Sequence, residues 1–510
     1  MPLPQTGLTK SEIVDTLQAY RGGDARWQEG RTFGMVYDAG AATHAVVETV
    51  AAMFLHDNAL NTQAFPSLAK IQSQVVGITA DLLHGEGAAG FMTSGGTESI
   101  LCAVKAARER GREERGITAP EMVLPTSAHA AFHKAAHYFG LQVHQVPVRD
   151  DWRADVDAMA ACINENTVLV VGSAPQYPQG VIDPIPELAA LAAEAGASFH
   201  TDACMGGFLL PFLEQLGEDV PPWDFRVEGV TTISADLHKL GYAPKGASVL
   251  LHRTKALRRY QTFVFDDWLG GFYASPGMQG TRAALPMATA WATLHHLGLE
   301  GYLRLTKLTL DTRVRMVEGI RAIDGLTVLG EPEAQCLAMA AAPGYEDLVD
   351  VFAVGDALLA RGWHHDRQTP PDSLHSTVSA GNAPTIEEYL RDLAECVAEV
   401  GGTRLADRST TYATLDDPQT SMPFFTLSGG AGGVDSLKVE KGVLSGTVDG
   451  SGEGSTDFGT PSYAYEITFS APVRKPTPVT VLTGKEAMDS VQMKTYLKFE
   501  EAMGTGDLDT

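Results

Sequence analysis

Residues 231–245 read TTISADLHKLGYAPK, and the fold turns on how that stretch is understood. The run Thr231, Thr232, Ile233 is β-branched and apolar enough for a buried strand. It leads almost at once to His238 and Lys239, and Lys245 follows one short loop later. A lysine just past a buried strand is costly unless it has a partner or a task. Taken alone, Lys239 also fits a surface position with its stem along apolar neighbours, so its surroundings must decide.

Outward from that stretch, between about residues 87 and 255, short β-rich runs alternate with helical ones: EMVLP, AHAAFHKAAHYFG, LQVHQVPV, TVLVVGSAP, PELAALAAEAG and ASFHTDA. Such alternation predicts an α/β fold with a mostly parallel sheet, helices on its faces, and ligands beyond the carboxyl ends of the strands. Upstream, Thr9 and Glu12 form a capping-box pattern ahead of Ile13, Val14 and Leu17, which predicts a short first helix. RTFGMVYDAG reads as an ordered loop, and helical spacing from about Val46 to Leu83 is interrupted by HDNALNTQAFPS. Residues 300–405 carry helices with short strands between them, a smaller α+β unit. The tail is rich in Gly, Ser and Thr and alternates like hairpin strands, with a helix expected near Gly484 to Met503. Its glycine runs lack the Lys-Ser/Thr ending of a phosphate loop and read as turns. The expected division is an N-terminal arm (1–75), a large domain (76–325), a small α+β domain (326–410) and a β-rich extension (411–510).

Three further features gather around Lys239. GFMTSGGTESILCAVKAARERG sets Gly96 and Thr97 at the start of a strong helix, where exposed backbone N–H groups and the helix dipole bind phosphate; the same residues also suit a capped helix after a turn. ASFHTDACMGGF ends a β run in Asp202, a carboxylate able to keep a pyridine nitrogen protonated, or equally a helix cap. PTSAHAAFHKAAHYFG places His129 after another strand, where its ring can cover a flat cofactor or sit partly buried as a cap. Anion site, covering histidine, carboxylate and lysine together are what pyridoxal 5'-phosphate requires.

The motifs MTSGGTESIL, SAHAAFHKAAHYFG, GSAPQYPQG, HTDACMGGFLLPF, SADLHKLGYAPKG and DDWLGGFYASPGMQGTR occur in that order. In this the chain resembles the sphingosine-1-phosphate lyase family within the decarboxylase-like group of fold type I pyridoxal-phosphate enzymes. The likeness runs from about Leu8 to Tyr302 and more weakly to about residue 405. It implies that Lys239 holds the cofactor covalently, that Gly96, Thr97 and His238 hold its phosphate, that His129 covers the ring, and that Asp202 pairs with the pyridine nitrogen. It implies a homodimer with a shared active site, in which Thr281 of GMQGTR reaches the neighbouring subunit's cofactor. Tyr177 matches a further active-site tyrosine, so that Lys239, Tyr177 and His129 form the expected catalytic set. Tyr37 and Lys245 match residues that hold the substrate's own phosphate. One position departs: where the family reads S-N-P-L-H this chain reads DNALN, so Asn61 stands for the histidine and Asn58 is kept. An asparagine donates a hydrogen bond but carries no charge, a difference of roughly 1.5 to 3 kcal/mol in anion recognition.

The implied activity is retro-aldol cleavage of a phosphorylated long-chain amino alcohol to a fatty aldehyde and phosphoethanolamine. The rival is an L-amino-acid decarboxylase on the same scaffold, which Asn61 favours and Tyr37, Lys245 and YASPGMQGTR oppose. A non-enzymatic scaffold would require the lysine and carboxylate to be incidental. Composition narrows the field further. With 510 residues, 44% hydrophobic, and a net charge of -25, the chain is an ordinary globular protein that repels nucleic acid and anionic membrane. Five scattered cysteines form neither a disulfide framework nor a zinc motif, and no apolar run reaches the roughly 20 residues of a membrane span, so a cytoplasmic protein without a structural metal is expected. His364 and His365 are adjacent and would face opposite ways on a strand, Cys204 is expected beside the Asp202 strand, and KAARERGREERG reads as a solvated helix face.

Overall fold

The computed structural model describes residues 3–405 and 410, together with three strands of the tail; the helix expected near 484–503 lies outside the described residues. The large sheet has seven strands: β1 (Ala89–Thr93), β2 (Glu121–Pro125), β3 (Gln142–Val146), β4 (Thr167–Ser173), β5 (Ser198–Asp202), β6 (Thr232–Ala235) and β7 (Ser248–His252). Their order across the sheet is β1-β7-β6-β5-β4-β2-β3. β7 runs against its neighbours β6 and β1, while the run from β6 to β3 is parallel. The expected α/β class with a mostly parallel sheet is what forms.

β4 shows why the centre of the sheet forms from this sequence. All of TVLVVGS is buried, as expected of a parallel strand covered on both faces. Leu169 and Val171 join Ile100, Val104 and Phe132 on one side; Val170 joins Phe199 and Leu188 on the other. Those partners come from α4 (Gly96–Arg115) and α5 (Ala131–Phe139) on the first face and α7 (Ile185–Glu194) on the second. The earlier helices are α1 (Lys10–Tyr20), with Thr9 and Glu12 making the expected capping box, α2 (Ala41–Met53) and α3 (Pro66–Leu82), and α6 (Val156–Cys162) precedes β4. Each fully buried aliphatic contributes about 1.5 to 3 kcal/mol relative to exposure, an upper bound because the unfolded chain is itself partly collapsed.

After α8 (Leu210–Gln215) and α9 (Lys255–Arg258), the short hairpin β8 (Phe263–Phe265) and β9 (Tyr273–Ser275) stands out from the body, with Phe265, Trp268, Leu269 and Phe272 exposed. The long α10 (Ala284–Arg321), broken at Gly298, then leads to the small domain. There β10 (Leu326–Val328), β11 (Cys336–Ala341), β12 (Asp366–Gln368) and β13 (Ser373–Thr377) form an antiparallel sheet in the order β10-β11-β13-β12, covered by α11 (Val351–Ala360) and α12 (Ile386–Val400). The N-terminal arm is stitched to this domain: Phe33 N–H donates to His364 O, Thr377 N–H donates to Phe33 O, and the buried Asn382 amide donates to the carbonyls of Gly30 and Thr32. Phe33 lies in the small-domain core beside Trp363 and Tyr389. In the tail, β14 (Val434–Glu440), β15 (Val443–Glu453) and β16 (Ser462–Pro472) form an antiparallel meander. No helix among the described residues is long and apolar enough to cross a membrane.

Candidate active site

The chain leaves β6 through a loop that is tied down at every turn. His238 N–H donates to Ala247 O, Ala243 N–H to Leu237 O, and the Tyr302 hydroxyl to Gly241 O. Within this loop the Lys239 ammonium lies 3.1 Å from Asp236 Oδ2. The His238 ring accepts from Ala247 N–H at Nδ1, which leaves its proton on Nε2, 3.5 Å from the same carboxylate oxygen. Burial alone would raise the Asp236 carboxyl, but the Lys239 ammonium, His238 and Ser248 outweigh it and hold the group well below the usual carboxylate range. The lysine that the sequence left without a partner therefore has a buried counter-ion three residues back.

The start of α4 meets this loop. Gly95 lies against the His238 ring, and a Cβ on Gly96 would come within 2.7 Å of Cys204 Sγ and 2.8 Å of Asp236 Oδ2. Only glycine lets the helix terminus approach so closely. Thr97 is exposed in the first turn, where backbone N–H groups have no intrahelical partner. The buried Glu98 anchors this start, accepting from Ser94 N–H and Oγ at 2.7 Å each, and its other oxygen accepts from Met278 N–H.

Asp202 ends β5 in register with Ser234 of β6. Its Oδ1 accepts from Cys204 N–H (3.0 Å) and Ser234 Oγ (3.2 Å). Beneath it the buried His200 bonds Thr232 Oγ1 and Ser234 Oγ, and desolvation pushes its pKa down to about 4, so a neutral imidazole supports the carboxylate. Cys204 packs beside this strand end as expected and donates to Ser234 Oγ. His129, half-buried after β2, accepts from Ala131 N–H at Nδ1 (3.1 Å). Burial lowers its pKa; the Asp202 and Asp236 charges oppose that and the Lys239 charge adds to it.

Lys245 donates to His238 O (2.9 Å), and its ammonium stands 4.7 Å from the centre of the Tyr37 ring. The side chain reaches solvent, yet desolvation by nearby protein and the Lys239 charge bring its pKa down to about 8. Tyr37 arrives here because the arm that carries it is fixed to the small domain at Gly30, Thr32 and Phe33. Tyr177, in the loop after β4, donates to Asp366 Oδ2 (2.8 Å) and stacks on His375. Asp183, buried and raised to about 6 by desolvation, accepts from Ala154 and Ser173 N–H and fixes the ends of that loop.

Asn61 and Thr281 are both exposed. Asn61 Oδ1 accepts from Gln63 and Ala64 N–H within its own loop, and none of its hydrogen bonds reaches Tyr37 or Lys245. The Asn58–Asn61 loop is joined to the Thr281 segment by the Asn58–Ala283 bridge and by Ala59 N–H donating to Arg282 O (2.9 Å). Sequence reasoning missed His200, Ser234, Glu98, Asp366 and His375. The first two could have been found from the β5–β6 register, while the last two come from a distant part of the chain. His365 is half-buried and stacked on Phe33, and among the described residues no cluster of His, Cys, Asp and Glu has metal-holding geometry. The helix face of KAARERGREERG is not wholly solvated: Lys105 donates to the carbonyls of Tyr260, Gln261 and Thr262.

These groups fit pyridoxal phosphate: a primary amine, a strand-end carboxylate supported by a neutral histidine, a half-buried imidazole, and a helix terminus whose Gly96 leaves a cradle that a Cβ would fill. Fold and donor set thus define a pyridoxal-phosphate enzyme. The chain belongs to the pyridoxal-dependent decarboxylase family, whose conserved domain matches residues 12–333. Among its relatives, the sphingosine-1-phosphate lyase of Arabidopsis thaliana is 42% identical over 407 residues, covering 78% of this chain and 74% of that one. The structure of a sphingosine-1-phosphate lyase from Burkholderia pseudomallei is similar with a TM-score of 0.74 at 40% identity, covering 78% of this chain and 92% of that one. A probable L-aspartate decarboxylase from Pyrococcus furiosus is more distant, 33% identical over 332 residues, 65% of this chain and 88% of that one.

Proposed function

We propose that the protein is a carbon-carbon lyase that cleaves a phosphorylated long-chain amino alcohol to a fatty aldehyde and phosphoethanolamine. When bound, pyridoxal phosphate supplies the electron sink that makes the C2–C3 bond of the amine substrate labile. Lys239 Nζ would be the amine that holds the group. Asp202 would keep the pyridine nitrogen protonated, and His129 would cover the ring. The first-turn N–H groups of Gly96 and Thr97 would hold the phosphate, with His238 and the Thr281 of a second copy beside them. We assign Lys239 Nζ as the base at the C3 hydroxyl and Tyr177 Oη as an acceptor that orients that hydroxyl. Lys239 Nζ would take the hydroxyl proton as C3 becomes the aldehyde carbon and the C2–C3 bond breaks, and would then return a proton to C2.

The single observation that carries the substrate reading is the Lys245–Tyr37 pair: a second ammonium, bonded to His238 O and set over an aromatic ring six residues past Lys239. A second cation this close to the first suits an anionic group on the substrate, which a decarboxylase of neutral amino acids would leave unused. In our reading Asn61 would serve the substrate phosphate through its amide N–H groups, its Oδ1 being engaged in its own loop. The large apolar side chains of Phe265, Trp268, Leu269 and Phe272, exposed on one short hairpin, support a homodimer that would cover them. The expected solution mass is twice 54.3 kDa. Five free cysteines support a reducing, cytoplasmic setting. The substrate reading is tested by comparing sphingosine 1-phosphate with unphosphorylated sphingosine. The phosphorylated compound should react with at least about a hundredfold higher kcat/KM, the equivalent of two charge-assisted bonds. Equal values would refute it.

A further inference from the structure

Tyr177 is the point at which the small domain reaches the active site. Asp366 of β12 and His375 of β13 are direct cross-strand partners, so their side chains leave the same face of the small-domain sheet. Both meet Tyr177, which belongs to the large domain. Asp366 Oδ2 accepts its hydroxyl at 2.8 Å, and the His375 ring stacks on its ring with centroids 3.8 Å apart and planes 28° from parallel.

The His375 imidazole is wired on both nitrogens. Nδ1 faces Pro178 O at 3.4 Å, and a carbonyl only accepts, so Nδ1 carries the proton. Nε2 then accepts from Thr377 Oγ1 at 2.8 Å, and Cys336 Sγ lies 3.7 Å behind that hydroxyl. The ring is fully buried, which pushes its pKa down to about 3 and keeps it neutral. With both nitrogens engaged, His375 offers the site only its face. It holds Tyr177 in place but exchanges no proton.

We propose that Asp366 and His375 are positioning residues for the cleavage reaction, a two-residue clamp that fixes the ring and the hydroxyl direction of Tyr177. The inference rests on the assignment of Tyr177 to the substrate hydroxyl. With its own proton donated to Asp366, Oη turns a lone pair outward and accepts at the substrate hydroxyl instead of donating. The clamp also makes small-domain placement a condition of activity, because both holding residues belong to that domain.

The test combines a double-mutant cycle with a probe that needs no turnover. In the cofactor-loaded enzyme, D366A should lower kcat about ten- to a hundredfold with KM and cofactor affinity within about twofold of wild type. D366N should recover part of the loss, since the amide oxygen still accepts. Added to Y177F, D366A should change kcat by less than about twofold, because its effect passes through the missing hydroxyl. An equal loss in both backgrounds would overturn the clamp and leave Asp366 a structural residue. Separately, with 3-fluorotyrosine in place of tyrosine and no substrate present, the fluorine line assigned to position 177 by its absence from Y177F should move in H375A. It should return towards wild type in H375F, where a ring still stacks. A line unmoved in H375A refutes the stacking half of the proposal. If the wild-type enzyme leaves sphingosine 1-phosphate intact, the substrate reading fails by itself and the fluorine line still decides the clamp.

Discussion

Replacing Lys245 by methionine removes one charge while keeping most of the side chain's volume. In the structure this ammonium makes one hydrogen bond, to His238 O at 2.9 Å, and one cation–π contact, to Tyr37 at 4.7 Å. Both are solvent-accessible, so the fold should lose no more than about 1 to 2 kcal/mol. The substrate loses more. A charge-assisted bond to phosphate is worth about 1.5 to 3 kcal/mol, which raises KM roughly ten- to a hundredfold and leaves kcat nearly unchanged if the contact is equally strong in ground and transition states. The pH profile supplies a second signature. The ammonium is charged below its pKa of about 8, so kcat/KM for the phosphorylated substrate should be level below pH 8 and fall above it. The guanidinium of K245R stays charged throughout, so that variant should lose the alkaline decline. The assay is steady-state kinetics on sphingosine 1-phosphate from pH 6.5 to 9.5 for wild type, K245M and K245R. A KM for K245M within about twofold of wild type would refute the assignment, since no charged anchor is lost so cheaply.

Three further outcomes are expected. Lys239→Ala should abolish borohydride-dependent covalent labelling of the 231–245 peptide and remove turnover; a labelled peptide in that variant would show that another amine carries the cofactor. Gly180→Ala should destabilise the protein by about 2 to 4 kcal/mol in denaturant titrations, because φ is +77° there and the new Cβ would sit 1.9 Å from Cys336 O; a midpoint equal to wild type would contradict the contact. His252 is buried against Gln261 and its folded pKa is lowered from 6.5 to about 4, so its stabilising contribution is complete above pH 6.5 and is lost as pH falls towards 4. H252Q should therefore flatten the fall in stability over that window by up to about 1.4 kcal/mol per pH unit, and identical slopes in the two proteins would count against a neutral buried imidazole.

Much of this was legible in the sequence, for reasons that differ from place to place. The Thr9 capping box and the strands EMVLP and TVLVVGS are local signals, with every determinant within a few residues, and they form as read. β1, AGFMT, was not singled out because five residues with two small ones carry little periodicity; its pairing with the antiparallel β7 across more than 150 residues makes it a strand. The family motifs pointed to Lys239, Asp202 and His129 through their positions at strand ends, but the Asp236 counter-ion was overlooked although it is only three residues from Lys239. The Asp366 and His375 contacts were beyond reach. Nothing near SLHST marks His375 as a partner for Tyr177, nearly 200 residues earlier, until β12 and β13 are paired. Asn61 was conspicuous by its departure from the family pattern, whereas the structure engages it in its own turn.

The most direct test of the central claim is a product account. Purified, cofactor-loaded protein is incubated with sphingosine 1-phosphate and, separately, with a panel of amino acids, and products are identified by mass spectrometry. The account predicts long-chain aldehyde and phosphoethanolamine in equal amounts from the first, none from K239A, and no carbon dioxide from the panel. Carbon dioxide and an amine from one of the amino acids, with sphingosine 1-phosphate left intact, would contradict it.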